Sequence, residues 1–218
     1  QGASDAAYST ALHAEYMHVL GIDFTGGAAD LYKCFDQIDR SLVAELLRMA
    51  GFPSRILRVY MDCLNNLDVH NCIGTHLGKA HRHPCGIPQG CPFSMMALAI
   101  LMRPWILLMR EQGATARVMA DDILVVTQGS DHVAKFERAF EDTLGYFTGR
   151  GARWAPKKSM TCSTSQVARE WLRERTWKAI EARVPVVLHF RDLGAHFSTG
   201  KVLIGVTLNR RMKEAGQI

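Results

Sequence analysis

The chain has 218 residues, 48% of them hydrophobic and 22% charged, with a net charge of +5, which excludes extensive disorder and allows one large buried core. Its charge is unevenly placed: residues 150–218 carry 14 Lys and Arg against 5 Asp and Glu, and residues 1–149 carry 12 against 16. An acidic part joined to a basic part suits a protein that holds cations beside a polyanion, although a solvated basic face gives the same count.

In chain order, residues 3–18 read as a weakly patterned helix, followed by a glycine-rich approach (Gly21, Gly26, Gly27) to Asp30. Gly26-Gly27-Ala28-Ala29 reads as a poor strand, because glycine weakens a strand interior. Residues 38–50 place apolar positions at helical spacing and end at Gly51, a C-terminal cap, and Pro53 opens a second helix to about residue 65. Residues 67–84 read as a hairpin. A Gly/Pro cluster at 86–92 feeds an apolar helix that reaches about residue 112, with Ser94 as its N-cap. Its most apolar part, 94–109, is about 16 residues long and contains Arg103-Pro104, so it is expected to be a buried helix and not a membrane span. Residues 117–127, RVMADDILVVT, predict a hairpin with the carboxylates at its turn. A helix follows at 131–148, a loop at 151–159, a basic amphipathic helix at 165–181, and two β-rich runs, VPVVLHF and KVLIGVTL, within 184–206. The class is therefore α+β with a mainly antiparallel sheet.

The six cysteines, at 34, 63, 72, 85, 91 and 162, include no C-x-x-C pair and imply reduced, intracellular thiols. The loose group of His76, His81, His83, Cys85 and Cys91 fits none of the usual zinc spacings. Residues 74–79 fail as a phosphate-binding loop, because no Ser or Thr follows Lys79.

Two features carry candidate chemistry. Adjacent carboxylates such as Asp121-Asp122 repel and raise each other's pKa, unless a cation sits between them and another carboxylate such as Asp30. Asp in a surface turn is the plain alternative. The second feature, Gly86-Ile87-Pro88-Gln89-Gly90-Cys91-Pro92-Phe93-Ser94, presents the Gln89 amide beside a helix N-terminus, a suitable place for a nucleotide's sugar and phosphate. As a turn with a cap it is equally a structural device.

Taken in order, these features resemble the motifs of reverse transcriptases of the non-LTR retrotransposon and group II intron type. Asp30-Leu31-Tyr32-Lys33-Cys34-Phe35-Asp36 is similar to the first motif, Gly86–Gly90 with Ser94 to the second, and Met119-Ala120-Asp121-Asp122 to the third. The stretch from Gly151 to Ser159 resembles the fourth, and Arg191-Asp192-Leu193-Gly194-Ala195-His196 the primer grip. DLYKCFDQI and HPCGIPQGCPFSMM look most like retroelement enzymes of protists such as dinoflagellates. RNA-directed RNA polymerases usually carry Gly-Asp-Asp in the third motif and lack Pro-Gln-Gly in the second, the reverse of this chain.

The resemblance, which covers about residues 28–200, implies a ferredoxin-like palm whose antiparallel sheet is backed by helices, with part of the fingers and the start of a thumb. Residues 1–20 would be a fragment of fingers or connector, 21–200 the palm with a fingers insertion at about 38–84, and 201–218 a truncated thumb or tail. It implies two Mg²⁺ (or Mn²⁺) ions on Asp30, Asp121 and Asp122, and Phe35 as a steric gate against a ribose 2′-hydroxyl. Gln89 and Gly90 would contact the nucleotide, Lys158 would protonate pyrophosphate, and Leu193 and Gly194 would hold the primer. The implied partners are an RNA template, a DNA primer and a dNTP, with no membrane, and the implied place is intracellular, the nucleus for a eukaryotic retroelement. The chain departs from the pattern in Met119, where an aromatic is usual, and in lacking the basic fingers motifs before residue 20, a full thumb, and ribonuclease H or endonuclease regions. It reads as a piece of a longer polyprotein, so an inactive fragment or a maturase-like RNA-binding palm is the alternative.

Overall fold

The structure is a computed structural model that describes residues 2–192 and 195–200. Helix α1 (Ala3–Val19) leads into strand β1 (Phe24–Ala29), the single-turn helix α2 (Cys34–Gln37), and the amphipathic helices α3 (Arg40–Met49) and α4 (Ser54–Asn65). Asp39 caps α3 by accepting from the Ser41 and Leu42 amides, and Gly51 and Phe52 close its other end by donating to Arg48 and Leu47. A small hairpin, β2 (Cys72–Ile73) and β3 (His76–Leu77), precedes the long helix α5 (Pro92–Glu111). Then come β4 (Thr115–Met119), β5 (Asp122–Gln128), α6 (His132–Thr148), β6 (Met160–Ser163), α7 (Gln166–Glu174), β7 (His189–Asp192) and β8 (Ala195–Ser198).

The main sheet has the order β4-β5-β1-β6 with every neighbouring pair antiparallel. Taken along the chain, β1-α5-β4-β5-α6-β6 is a β-α-β-β-α-β unit, which is the ferredoxin-like arrangement. Side chains of β5 alternate across the sheet. Ile123 and Val125 join the core under α5 and α6, where Trp105, Phe136, Phe140 and Phe147 are almost fully buried. Leu124 and Val126 point the other way, to Phe24 and to Met17 of α1. The sheet is thus covered on both faces.

That double cover explains the Gly26-Gly27 pair, where the structure departs from the weak strand expected. β1 is the central strand, and a Cβ on Gly27 would lie 2.7 Å from the Phe140 ring and 2.8 Å from Phe136. Only a residue without a side chain admits α6 that close to the sheet.

Helix α5 runs unbroken for 20 residues with Pro104 inside it, in keeping with the helix expected to reach about residue 112, whereas other expectations need correcting. By length and composition it would span a membrane, yet Ala97, Leu98, Leu101, Met102, Trp105 and Met109 are buried in the core. Cys91 rather than Ser94 is its N-cap, with Pro92 in the first turn. Helix α7 stops at Glu174 instead of reaching 181, because Trp177 is fully buried edge-on against Phe136 and Phe140 and its amide donates to Ala182. Of the two β-rich runs, the first contributes a bridge from Val186 to Thr161 and then β7. β8 falls where a loop was expected, and the run from residue 201 onward lies outside the described residues.

Candidate active site

The register of the sheet assembles the site. The β1–β5 ladder ends with Ala29 opposite Ile123, so the next positions outward are Asp30 and Asp122. The β4–β5 hairpin closes with Met119 opposite Asp122, leaving Ala120 and Asp121 as its two-residue turn. Ala120 has φ +55°, a left-handed backbone that costs an alanine roughly 1–2 kcal/mol. The strain sits at the tip that carries the carboxylates.

A second strand-like segment brings a cation to the same end. The Tyr32 amide donates to Arg153 (2.9 Å) and the Ala155 amide to Asp30 (3.0 Å), so 153–155 runs alongside 30–32. The Trp154 indole N–H, which reaches the Thr148 hydroxyl (2.9 Å), ties this segment to α6. The chain then turns, placing exposed Lys158 near Asp30 and burying Ser159, whose hydroxyl accepts from the Asp30 amide (3.0 Å) and donates to Ala155 (3.1 Å).

The carboxylates act on one another. Partial burial raises the Asp30 pKa, the Lys158 ammonium pulls it back, and Asp121 pushes it up again, with the net shift upward. Asp122 is open to solvent on one side, yet the surrounding protein raises its pKa, and the charges of Asp121 and Asp30 add to that. A cleft of about 420 Å³ beside Asp122 is lined by Asp5, Thr10, Arg110, Arg117 and Met119 among others.

The Gly86–Gly90 loop lies against α2. The Gly86 amide donates to Ile38 (2.8 Å) and the Ile87 amide to Phe35 (2.9 Å), while Gln89 and Gly90 face solvent. Phe35 is only 7% exposed and belongs to the core. Ser94 is buried and shares a hydrogen bond with the Tyr60 hydroxyl (3.3 Å). Leu193 and Gly194 lie outside the described residues, although the flanking β7 and β8 pair as a hairpin with Phe190 stacked on Phe197.

Asp30, Asp121 and Asp122 offer only oxygen donors, the set that Mg²⁺ and Mn²⁺ take together with water. Burial raises Asp30 and Asp122, and the charges of neighbouring carboxylates add to it, a cost of the kind a bound cation relieves. Among the described residues, no three His, Cys, Asp or Glu side chains are gathered tightly enough to close around one ion. The donor set fits the metal; the side chains are electrostatic neighbours rather than an assembled cage.

Sequence reasoning overlooked three supporting groups. Ser159 was visible only as the end of a motif, Gln37, whose side-chain amide oxygen accepts from the Arg153 amide (3.0 Å), had no signal, and Arg40 looked like an ordinary helical residue.

Residues 23–187 match the family described as reverse transcriptase (RNA-dependent DNA polymerase). No curated protein matches the chain. Among solved structures it resembles apo telomerase from Candida tropicalis truncated from its C-terminal domain, at 14% identity and a TM-score of 0.50 over 65% of this chain and 31% of that one. It also resembles telomerase from Candida tropicalis in complex with a TWJ fragment of telomeric RNA, at 13% identity and a TM-score of 0.51 over 66% and 26%. At that identity the likeness is one of fold, and the chain spans less than a third of the length of either telomerase chain. With three carboxylates, an adjoining lysine and the Gly86–Gly90 loop on one ferredoxin-like palm, and with most of its length matching the family, the chain belongs to the reverse transcriptases.

Proposed function

We propose that this chain is the palm of a retroelement polymerase, and that it copies RNA into DNA by two-metal nucleotidyl transfer from a dNTP to a primer 3′-hydroxyl. The observation that carries the reading is the strand register, which sets Asp30 beside Asp122 and puts Asp121 on the adjoining turn. Asp30, Asp121 and Asp122 would hold two Mg²⁺ or Mn²⁺ ions, which when bound activate the 3′-hydroxyl and stabilise the departing pyrophosphate.

The chain's own groups supply the rest. The Ser159 hydroxyl holds the Asp30 backbone in place, so its carboxylate meets substrate without rearranging. The Lys158 ammonium lies where it offsets negative charge near Asp30 and can give a proton to the leaving pyrophosphate oxygen. Gln89 and Gly90, exposed on a pinned loop, contact the nucleotide, while Phe35 limits the room beside the sugar. The β7–β8 hairpin holds the primer end, a role in which the resemblance also puts Leu193 and Gly194, which lie outside the described residues. Six unpaired cysteines suit an intracellular, reducing compartment.

A second reading is a maturase-like palm that binds RNA without catalysis. It is favoured by the excess of cations in residues 150–218, which can bind RNA without any catalysis. Single-nucleotide incorporation into a DNA primer on an RNA template, with and without Mg²⁺ or Mn²⁺, separates the two. Metal-dependent incorporation supports the polymerase, and RNA binding without incorporation supports the second reading.

A further inference from the structure

The geometry points to Arg40 as a positioning residue that fixes the Gly86–Gly90 loop against Phe35 and thereby sets the discrimination between deoxy- and ribonucleotides; this rests on the polymerase reading above. Arg40 is the first residue of α3, and its Nε donates to the Gly86 carbonyl at 2.7 Å and its Nη2 to the Cys85 carbonyl at 3.2 Å. Among the described residues it forms no ion pair, so its guanidinium is spent on these two carbonyls. A cation at a helix N-terminus opposes the helix dipole, which makes the position unfavourable for α3 by itself. What the arginine provides is a planar fork that fastens two successive peptide oxygens, which a point charge cannot do as well.

The fastened loop has little freedom elsewhere. Gly86 has φ +89°, and a Cβ there would stand 2.9 Å from the Asp36 Cα and carbonyl oxygen. Its amide and that of Ile87 donate to Ile38 and Phe35, so the loop is joined on one side to the backbone of the gate residue and on the other to Arg40. Gln89 and Gly90 follow within three residues of Ile87 and are exposed. The gap between Phe35 and the nucleotide-contacting loop is therefore set by backbone contacts that Arg40 holds in register. Releasing them widens the gap, and a wider gap admits a 2′-hydroxyl.

The test uses the full chain and the variants Arg40→Gln and Arg40→Lys. The first readout is the ratio of kcat/KM for a dNTP to that for the matching NTP, which does not change when a variant merely folds less completely. The expectation for Arg40→Gln is a fall of about tenfold in that ratio, carried mainly by a lower KM for the NTP, with partial recovery in Arg40→Lys. The second readout, independent of activity, is amide hydrogen exchange at Gly86 and Ile87, expected to accelerate in Arg40→Gln while the β1 and β5 amides stay protected. An unchanged ratio with unchanged exchange overturns the inference. If the unaltered chain incorporates no nucleotide, the polymerase reading fails, and exchange alone decides whether Arg40 positions the loop.

Discussion

Asp122 stands at an exposed strand end, yet the surrounding protein and the charges of Asp121 and Asp30 raise its pKa. A carboxyl whose folded pKa exceeds its unfolded value destabilises the fold at pH above the folded pKa, and this penalty disappears below the unfolded one. In the metal-free protein the Asp122 contribution should therefore become less unfavourable as pH falls through the range just above ordinary carboxylate values, opposing the losses at Asp68 and Asp131, whose pKa values are lowered. Asp122→Asn removes the penalty: the metal-free variant should melt higher than the parent at pH 7, and its lead should narrow on acidification. Its metal-dependent synthesis should fall by more than about 100-fold, the upper end for second-shell partners of a metal. A melting temperature lower than the parent's at pH 7 would show that Asp122 stabilises the fold rather than burdening it. Asp30 differs because Lys158 offsets part of its shift, and that pairing was legible only as a motif; the 153–155 segment running beside 30–32 is what produces it.

At the scale of elements, the outcome at β1 is instructive. Gly26-Gly27 reads as strand-breaking when propensity alone is weighed, but Phe136 and Phe140 of α6 occupy the space a side chain would need. Gly27→Ala should lower the unfolding free energy by about 1–3 kcal/mol, as overpacking of a filled core does, seen as a lower urea midpoint. A midpoint equal to the parent's would mean that α6 can move away and that the close approach is incidental. The same reasoning separates what was legible from what was not. Helices α3, α4 and α6 and the β4–β5 hairpin follow from local periodicity and turn signals. The early end of α7 follows from the burial of Trp177 against α6, a contact with residues some 40 positions earlier that no local pattern encodes. Arg40 was opaque for the same reason, since its partners lie 45 and 46 residues away.

At the scale of the whole molecule, the charge asymmetry follows the proposed division of labour. The acidic first part supplies Asp30, Asp121 and Asp122, and residues 150–218 supply the excess of cations. If those cations meet the phosphates of an RNA template, binding should weaken linearly in log salt, with a slope of about −0.7 per phosphate contacted on a single strand. Fluorescence anisotropy with a labelled RNA measures this, and affinity independent of salt would remove nucleic acid as the partner of the basic C-terminal part. Binding of this kind is common to the catalytic and non-catalytic readings, so it does not decide between them. The decision lies with Asp121, the exposed carboxylate at the hairpin tip that packing does not require. The direct measurement is extension of a DNA primer on an RNA template with Mg²⁺ or Mn²⁺, run beside Asp121→Ala. The account predicts metal-dependent extension by the parent chain and its loss in the variant, with RNA binding retained by both. Equal extension by the two proteins, or none by either while RNA is still bound, would contradict it.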